Sequence, residues 1–366
     1  SNDQNATTTS IFAEGTFYVN DKLTLKAGVR ISEDEKDVKS DQFMSSTATG
    51  GMTRDFPTLA PPVLGVFKAL VDRMPHNFPV QSRSESHTTP SIKVLYDYSD
   101  TTRLYMSYAE GYKMGGFDGS ENAPQINATT PAAAFQFEPE QAETLEIGAK
   151  FNAPDRNLRG SIAYFSTDYT DMQVSIFNGS SSQVSNAGES ERDGIEADFT
   201  WAPTDNVVIG GSATTLDFAY GAYIGGCTAD QEVAYRLANN TKLGCVQDQA
   251  GQRGNNAPEL AVSMYANYYK NLVDAWEMVL SVNANHQDDV YSNTDNDPKA
   301  FTEAYTKVNV SASFRNSNGL ELSIFARNVT DEVTATQLLD LPLVPGSHFA
   351  LWAPGKEVGI SLRGTF

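Results

Sequence analysis

The 366 residues carry 46 acidic against 26 basic side chains, a net charge of −20, which argues against nucleic acid as a partner because phosphate backbones demand a surplus of Lys and Arg. Only 40% of the residues are hydrophobic, mean hydropathy is −0.38, and no apolar run approaches the roughly 18 residues of a membrane helix. Helical spans are therefore excluded, whereas barrel strands, polar on one face, are not, and the length suits either two ordinary domains or one large barrel.

The polar start, Ser1 to Thr9, runs straight into a first strand over Thr9–Val19. With no leader ahead of it, the chain is expected to begin inside a longer protein or to have lost a segment. Val19–Lys22 turns into a second strand, where Leu23, Leu25, Ala27, Val29 and Ile31 alternate with Lys22, Thr24, Lys26, Gly28 and Arg30. Cations so regularly on one face must point to water. A long loop is expected from Ser32 to about Glu85, opening on the solvated acidic run Glu33–Asp37 and holding Pro57, Pro61, Pro62, Pro75 and Pro79, with a short helix over Leu64–Met74.

The third strand (Pro90–Asp97) and the fourth (Arg103–Tyr112) flank the short turn Tyr98–Thr102, and a second long loop covers Lys113–Pro139. The fifth sets Leu145, Ile147, Ala149 and Phe151 against Thr144, Glu146, Gly148 and Lys150, and Asn152–Arg156 turns it into a long sixth strand, Leu158–Ile176. After Asn178–Ser182 the seventh strand returns and ends in Ile195, Ala197, Phe199 and Trp201, followed by the turn Ala202–Asp205 and the eighth strand, Asn206–Asp217. The loop from Phe218 to Ala257 holds Cys227 and Cys245, whose pairing as a disulfide fits an oxidising compartment such as the periplasm or cell surface.

The ninth strand (Leu260–Tyr268), the turn Asn271–Asp274 and the tenth (Trp276–Ala284) precede an acidic loop, Asp288–Glu303. The eleventh carries Val308, Val310, Ala312 and Phe314 on one face, Asn316–Gly319 has hairpin-turn composition, and the twelfth carries Leu320, Leu322, Ile324 and Ala326. A loop over Thr330–Pro354 leads to the last strand, where Val358, Ile360, Leu362 and Phe366 face away from Glu357, Ser361, Arg363 and Thr365.

These elements give an all-β chain, a transmembrane antiparallel β-barrel of about 13 strands, whose connections alternate between short and long as periplasmic turns and extracellular loops do. Trp201 and Trp276 then fall at the periplasmic ends of outward faces, where an aromatic membrane girdle is expected. An odd count would leave the first and last strands parallel, so further strands are expected before Ser1.

Ordered motifs carry a resemblance. They are Leu23–Arg30 with Asp34-Glu35-Lys36; Ser107–Asp118 (SYAEGYKMGGFD); Pro139-Glu140 with Glu146–Lys150; Tyr164–Tyr169; Asn186-Ala187-Gly188 with Gly194-Ile195-Glu196; Ala326–Asp331; and Pro354-Gly355-Lys356 leading to Phe366. Taken in order, they resemble the C-terminal part of a TonB-dependent outer-membrane receptor. The resemblance implies a plugged barrel of roughly 22 strands, with the plug, the TonB box and about nine strands supplied by another chain or a missing segment, and Phe366 as the C-terminal assembly signal. It further implies active uptake of a scarce ligand, most often a ferric siderophore, with TonB and outer-membrane lipid as partners and no catalysis or cofactor. Tyr112, Lys113 and Phe117 after the fourth strand and Tyr291 after the tenth are the candidate ligand contacts, an aromatic and cationic mouth suited to an anionic aromatic chelate.

A glycan, cobalamin or aromatic compound remains open as cargo, and a passive porin or an adhesin-like barrel remains open as another class. His76, His87, His286 and His348 show no metal-ligand spacing, and Asp295-Asn296-Asp297 lacks the glycine and distal glutamate of a calcium loop.

Overall fold

The computed structural model describes residues 2–42, 44–46, 51–53, 76–77, 80–118, 136–177, 182–239, 245–272, 275–341 and 347–364. Thirteen strands pair in chain order along one antiparallel sheet, and the two-residue strand His76–Asn77 adds to the second of them off that path. They are β1 (Asn2–Tyr18), β2 (Leu23–Gln42), β3 (Gln81–Ser99), β4 (Thr102–Lys113), β5 (Glu140–Ala153), β6 (Leu158–Phe177) and β7 (Ser182–Thr204). The series continues with β8 (Val207–Tyr220), β9 (Leu260–Asn271), β10 (Trp276–Gln287), β11 (Tyr305–Asn316), β12 (Leu320–Arg327) and β13 (Glu357–Gly364). Among the described residues β1 and β13 each have one neighbour in this wall.

Register shows why the alternation repeats. Leu25 pairs with Val94, Val94 with Met106, Met106 with Ile147, Ile147 with Tyr164 and Tyr164 with Ile195, so one apolar row crosses six strands. One residue away, Lys26, Lys93, Ser107, Glu146, Phe165 and Gly194 form a row on the opposite face. Leu25, Met106, Ile147, Tyr164 and Ile195 are all exposed. Such a row is stable only against lipid, where removing each large side chain from water contributes about 1.5–3 kcal/mol. Trp201 stands on this outer face at the short-turn end of β7 and is exposed; Trp276 opens β10 at the same end and is half-buried.

The inner face is finished by rings laid over glycines. A Cβ on Gly148 would sit 2.6 Å from Tyr105 Cζ, and one on Gly194 would sit 2.6 Å from Phe165 Cζ and 2.1 Å from the Thr215 carbonyl oxygen. Each ring covers a gap in the neighbouring strand that any side chain would fill.

The strands run further than the apolar alternation predicts. The loop expected from Ser32 is strand as far as Gln42, and β3 starts at Gln81 rather than at Pro90. Beyond the lipid both faces of a strand meet water, so pairing continues while the hydropathy contrast ends. Pro90 lies inside β3 opposite Val29, and the β3–β4 ladder begins only at Ser91–Ala109. Having no N–H to donate, Pro90 marks the upper end of that ladder.

One buried apolar cluster forms where the ends of two wall strands meet the long connections: Met172 and Val174 of β6 and Phe218 and Tyr220 of β8 pack with Tyr223 and Ala257. The connection after β8 contains helix α1 (Ala229–Asn239), where the sequence predicts only loop, and the hairpin Ile224–Gly226 with Val246–Asp248. Cys227 and Cys245 form the expected disulfide across it. The helix expected over Leu64–Met74, the turn residues Asn178–Ser181 and Phe366 lie outside the described residues.

Candidate functional site

The short connections, such as Ser99–Thr102 and Thr204–Val207, share one end of the wall, and the long connections share the other. At the long-connection end the lumen face carries two linked groups of polar side chains.

The first group spans β2, β3 and β4. Thr8 donates to Asp34 Oδ1 at 2.6 Å and the Tyr112 hydroxyl donates to Asp34 Oδ2 at 2.6 Å, while the Tyr112 ring stacks on His87 with centroids 4.0 Å apart. Counting from Tyr105 on the lumen face, Tyr112 should fall on the lipid side. It meets Asp34 and His87 beyond the last β3–β4 pair, Ser91–Ala109, while β4 stays paired with β5 through Tyr112–Gln141 and Lys113–Glu140. Lys36 donates to the Gly115 carbonyl at 2.9 Å, the Gly115 N–H donates to Glu85 at 2.8 Å, and Arg83 donates to Glu85 at 2.9 Å and to Glu138 at 2.6 Å. These contacts clip the turn Met114–Asp118 against the wall. They bury Phe117 to 3% exposure, and its carbonyl accepts from Gln4.

The second group surrounds a cavity of about 500 Å³, lined by Lys113, Glu140, Gln173, Arg192, Tyr220 and Asn255 among others. Arg192 pairs in register with Phe218 on β8, and its guanidinium carbon lies 4.3 Å from the Phe218 ring centroid and 4.2 Å from that of Tyr169. One terminal nitrogen meets Met172 Sδ at 3.2 Å, and Nε is buried with no hydrogen-bond partner. Among the described residues Arg192 makes no ion pair. A guanidinium held between two rings and making no ion pair among the described residues has the chemistry to bind an anion or an aromatic plane.

The connections around this cavity are braced by charge. Arg253 donates to the Asp289 carboxylate at 2.7 Å and to its carbonyl at 2.6 Å, and Lys299 reaches Asp230 of α1 at 2.6 Å. Asp297, from the triplet with weak calcium-loop character, accepts from the Lys299 N–H at 2.8 Å, and its other oxygen lies 3.2 Å from His348 Nε2. Burial pushes the Tyr223 phenol above its ordinary value.

Of the four candidate contacts, Tyr112 and Lys113 stand at the junction of the two groups, Tyr112 in the first and Lys113 on the cavity. Phe117 is packed under its turn. Tyr291 lies 5.0 Å from Phe301, centroid to centroid, and its carbonyl accepts from the N–H of Asn256, a cavity residue. Arg192, Tyr220, Asp34, Glu85 and His87 are absent from the sequence-based set. Arg192 sits in the polar run Glu189-Ser190-Glu191-Arg192-Asp193, where nothing but its place on the lumen face distinguishes it.

A family model described as TonB dependent receptor-like, beta-barrel, matches residues 1–329. A probable TonB-dependent siderophore receptor, PiuA, from Acinetobacter baumannii is 24% identical over 275 residues, covering 74% of this chain and 33% of the relative. The pesticin receptor of Yersinia enterocolitica is 24% identical over 216 residues, covering 58% of this chain and 26% of that protein. Among solved structures, the ferric yersiniabactin uptake receptor FyuA from Yersinia pestis superposes with a TM-score of 0.72 at 18% identity, covering 100% of this chain and 46% of that one. The siderophore receptor PiuA from Acinetobacter baumannii does so with a TM-score of 0.68 at 20% identity, covering 99% and 44%. The chain thus spans about a third of the first curated relative and under half of these solved chains.

Proposed function

This chain belongs to the TonB-dependent receptor β-barrel family of the bacterial outer membrane, and on that premise we propose that it forms the wall and ligand mouth of an importer of a ferric siderophore energised by TonB. The observation that supports this cargo most directly is Arg192, a cation without an acid partner among the described residues, held between Tyr169 and Phe218 on a cavity it shares with Lys113. Ferric chelates of the siderophore kind are anionic and often aromatic, so guanidinium donors would meet their oxygens and flanking rings their planar groups. The wall's part is to satisfy every backbone group in lipid while presenting this polar ring to the lumen. Lys113 and Tyr112 are proposed as further ligand contacts beside Arg192, with Tyr291 supporting the rim through Asn256.

The test is uptake of radiolabelled iron by a strain lacking the gene, under iron limitation, with a panel of ferric chelates and with TonB intact or removed. The expected result is loss of uptake for one chelate class, restored by the gene only when TonB is present. Unchanged uptake of every ferric chelate, with lost growth on a glycan or cobalamin instead, would redirect the cargo assignment. Uptake that persists without TonB would point to a passive pore.

A further inference from the structure

Asp34 on β2 pairs in register with Glu85 on β3, and Ser32 pairs with His87, so three potential ligand side chains stand together on the lumen face. One ligand atom from each lies within 4.8 Å of the other two. All three are withdrawn from water: Asp34 is 3% exposed, and the side chains of Glu85 and His87 are 12% and 13% exposed. His87 Nε2 is buried without a hydrogen-bond partner, 3.9 Å from Glu85 Oε1. A buried imidazole nitrogen with no hydrogen-bond partner, grouped with two carboxylates, is an arrangement a cation between the three would satisfy.

We propose that Asp34, Glu85 and His87 form a binding site for one divalent first-row transition ion, with Zn²⁺ the best match to their one-nitrogen, two-oxygen donor set. Tetrahedral zinc with ligand bonds of about 2.0–2.2 Å sets nitrogen and oxygen ligands about 3.4 Å apart, so the 3.9 Å His87–Glu85 gap, and the other separations of no more than 4.8 Å, would close by side-chain rotation. Calcium and magnesium select all-oxygen shells and are the poorer fit to an imidazole. The ligands are already oriented by outer partners, as metal ligands are. Thr8 and Tyr112 hold the Asp34 oxygens, Arg83 and the Gly115 N–H hold those of Glu85, and the Tyr112 ring stacks on His87. Lys36 and Arg83 stand nearby and temper the affinity. Because Glu85 also anchors Gly115, the ion would join β2 and β3 to the turn over the cavity side of the mouth. The site rests on these residues alone and stands or falls independently of the cargo.

The experiment uses the intact protein purified in detergent and stripped with a chelator, titrated with ZnCl₂ in competition with a chromophoric chelator. Cu²⁺ electron paramagnetic resonance is run in parallel. One ion per chain is expected, with nitrogen hyperfine structure from a single imidazole. His87→Ala should remove that structure and weaken zinc binding at least about tenfold, the size of loss seen even for outer partners. Glu85→Gln should weaken zinc binding likewise, and His286→Ala should leave it unchanged. Folding of each variant is read from heat-modifiable migration on gels. Equal zinc affinity in wild type and His87→Ala, or copper spectra without imidazole nitrogen, would overturn the assignment, as would a wild-type protein that binds no zinc.

Discussion

Arg192→Met isolates the charge at the mouth from the packing around it. Methionine keeps the length of the apolar stem and sits beside Met172, so Tyr169 and Phe218 retain a neighbour. Two opposing terms set the stability change. Loss of the ring contacts costs about 0.5–2 kcal/mol, while removing a buried Nε that has no acceptor relieves about 1–3 kcal/mol of unmet desolvation. The net effect on folding should therefore lie between about 1 kcal/mol of destabilisation and about 2.5 kcal/mol of stabilisation. Ligand binding is affected in one direction only. A hydrogen bond to a charged ligand oxygen contributes about 1.5–3 kcal/mol, so the dissociation constant of an anionic ferric chelate should rise about 10- to 140-fold at 1.4 kcal/mol per decade. Arg192→Lys keeps the charge but loses the planar fork, and should fall between. The assay is fluorescence titration of the intact purified protein with the chelate, paired with thermal unfolding of the same samples. Affinity unchanged within twofold would refute the reasoning, as would equal weakening for a neutral ligand.

Four further outcomes follow from particular contacts. Gly194→Val drives a Cβ into Phe165 and the Thr215 carbonyl in the middle of the wall and should destabilise the barrel by about 1–3 kcal/mol, read as a lower temperature for loss of heat-modifiable migration. Asn328, at φ 47° and 5% exposed, donates to the Glu332 carbonyl at 2.9 Å and accepts the Glu332 N–H at 3.0 Å. Asn328→Ala loses both bonds and should lower stability by about 1–3 kcal/mol, whereas an effect no larger than that of Asn318→Ala, in an exposed turn, would count against the assigned role. Cys227→Ser opens a loop of sequence separation 18 and should lower local stability by about 3 kcal/mol, seen as faster proteolysis within α1 with the wall intact. Tyr223, raised above its ordinary value of about 10 by burial, favours the folded connections while neutral. That contribution is complete below about pH 10 and is lost as pH rises through the raised value. Ultraviolet titration of tyrosinate should show a late step absent from Tyr223→Phe.

What the sequence makes legible is the part of the molecule that lipid shapes. Leu25, Val94, Met106, Ile147, Tyr164 and Ile195 can be assigned to one face from period-2 alternation alone, and their pairing into one row needs only short turns to fix neighbouring registers. Above the lipid that contrast ends, which is why Ser32–Gln42 reads as loop although it is strand, and why Pro90 reads as a strand start although it ends one ladder while the other continues.

The mouth is harder to read because its residues meet through registers set across long connections. Asp34 and Glu85 lie far apart in the sequence, so no local spacing announces that they face each other, and His87 among four scattered histidines carries no signal by itself. Tyr112 shows the same point from the other side. Its family motif places it near the ligand end, but strict alternation from Tyr105 would aim it at lipid. Beyond the end of the β3–β4 ladder it stacks on His87 and donates to Asp34, with β4 still paired to β5. If the proline at which this ladder ends sets which aromatic enters the lumen, Pro90→Val, which restores a donor, should extend the ladder and draw Tyr112 back toward the outer face. Loss of the Tyr112–His87 contact in that variant, read as altered His87 chemical shift in selectively labelled protein, would bear this out; an unchanged shift would show that the turn Met114–Asp118, clipped by Lys36, Glu85 and Arg83, holds Tyr112 in place without help from the proline.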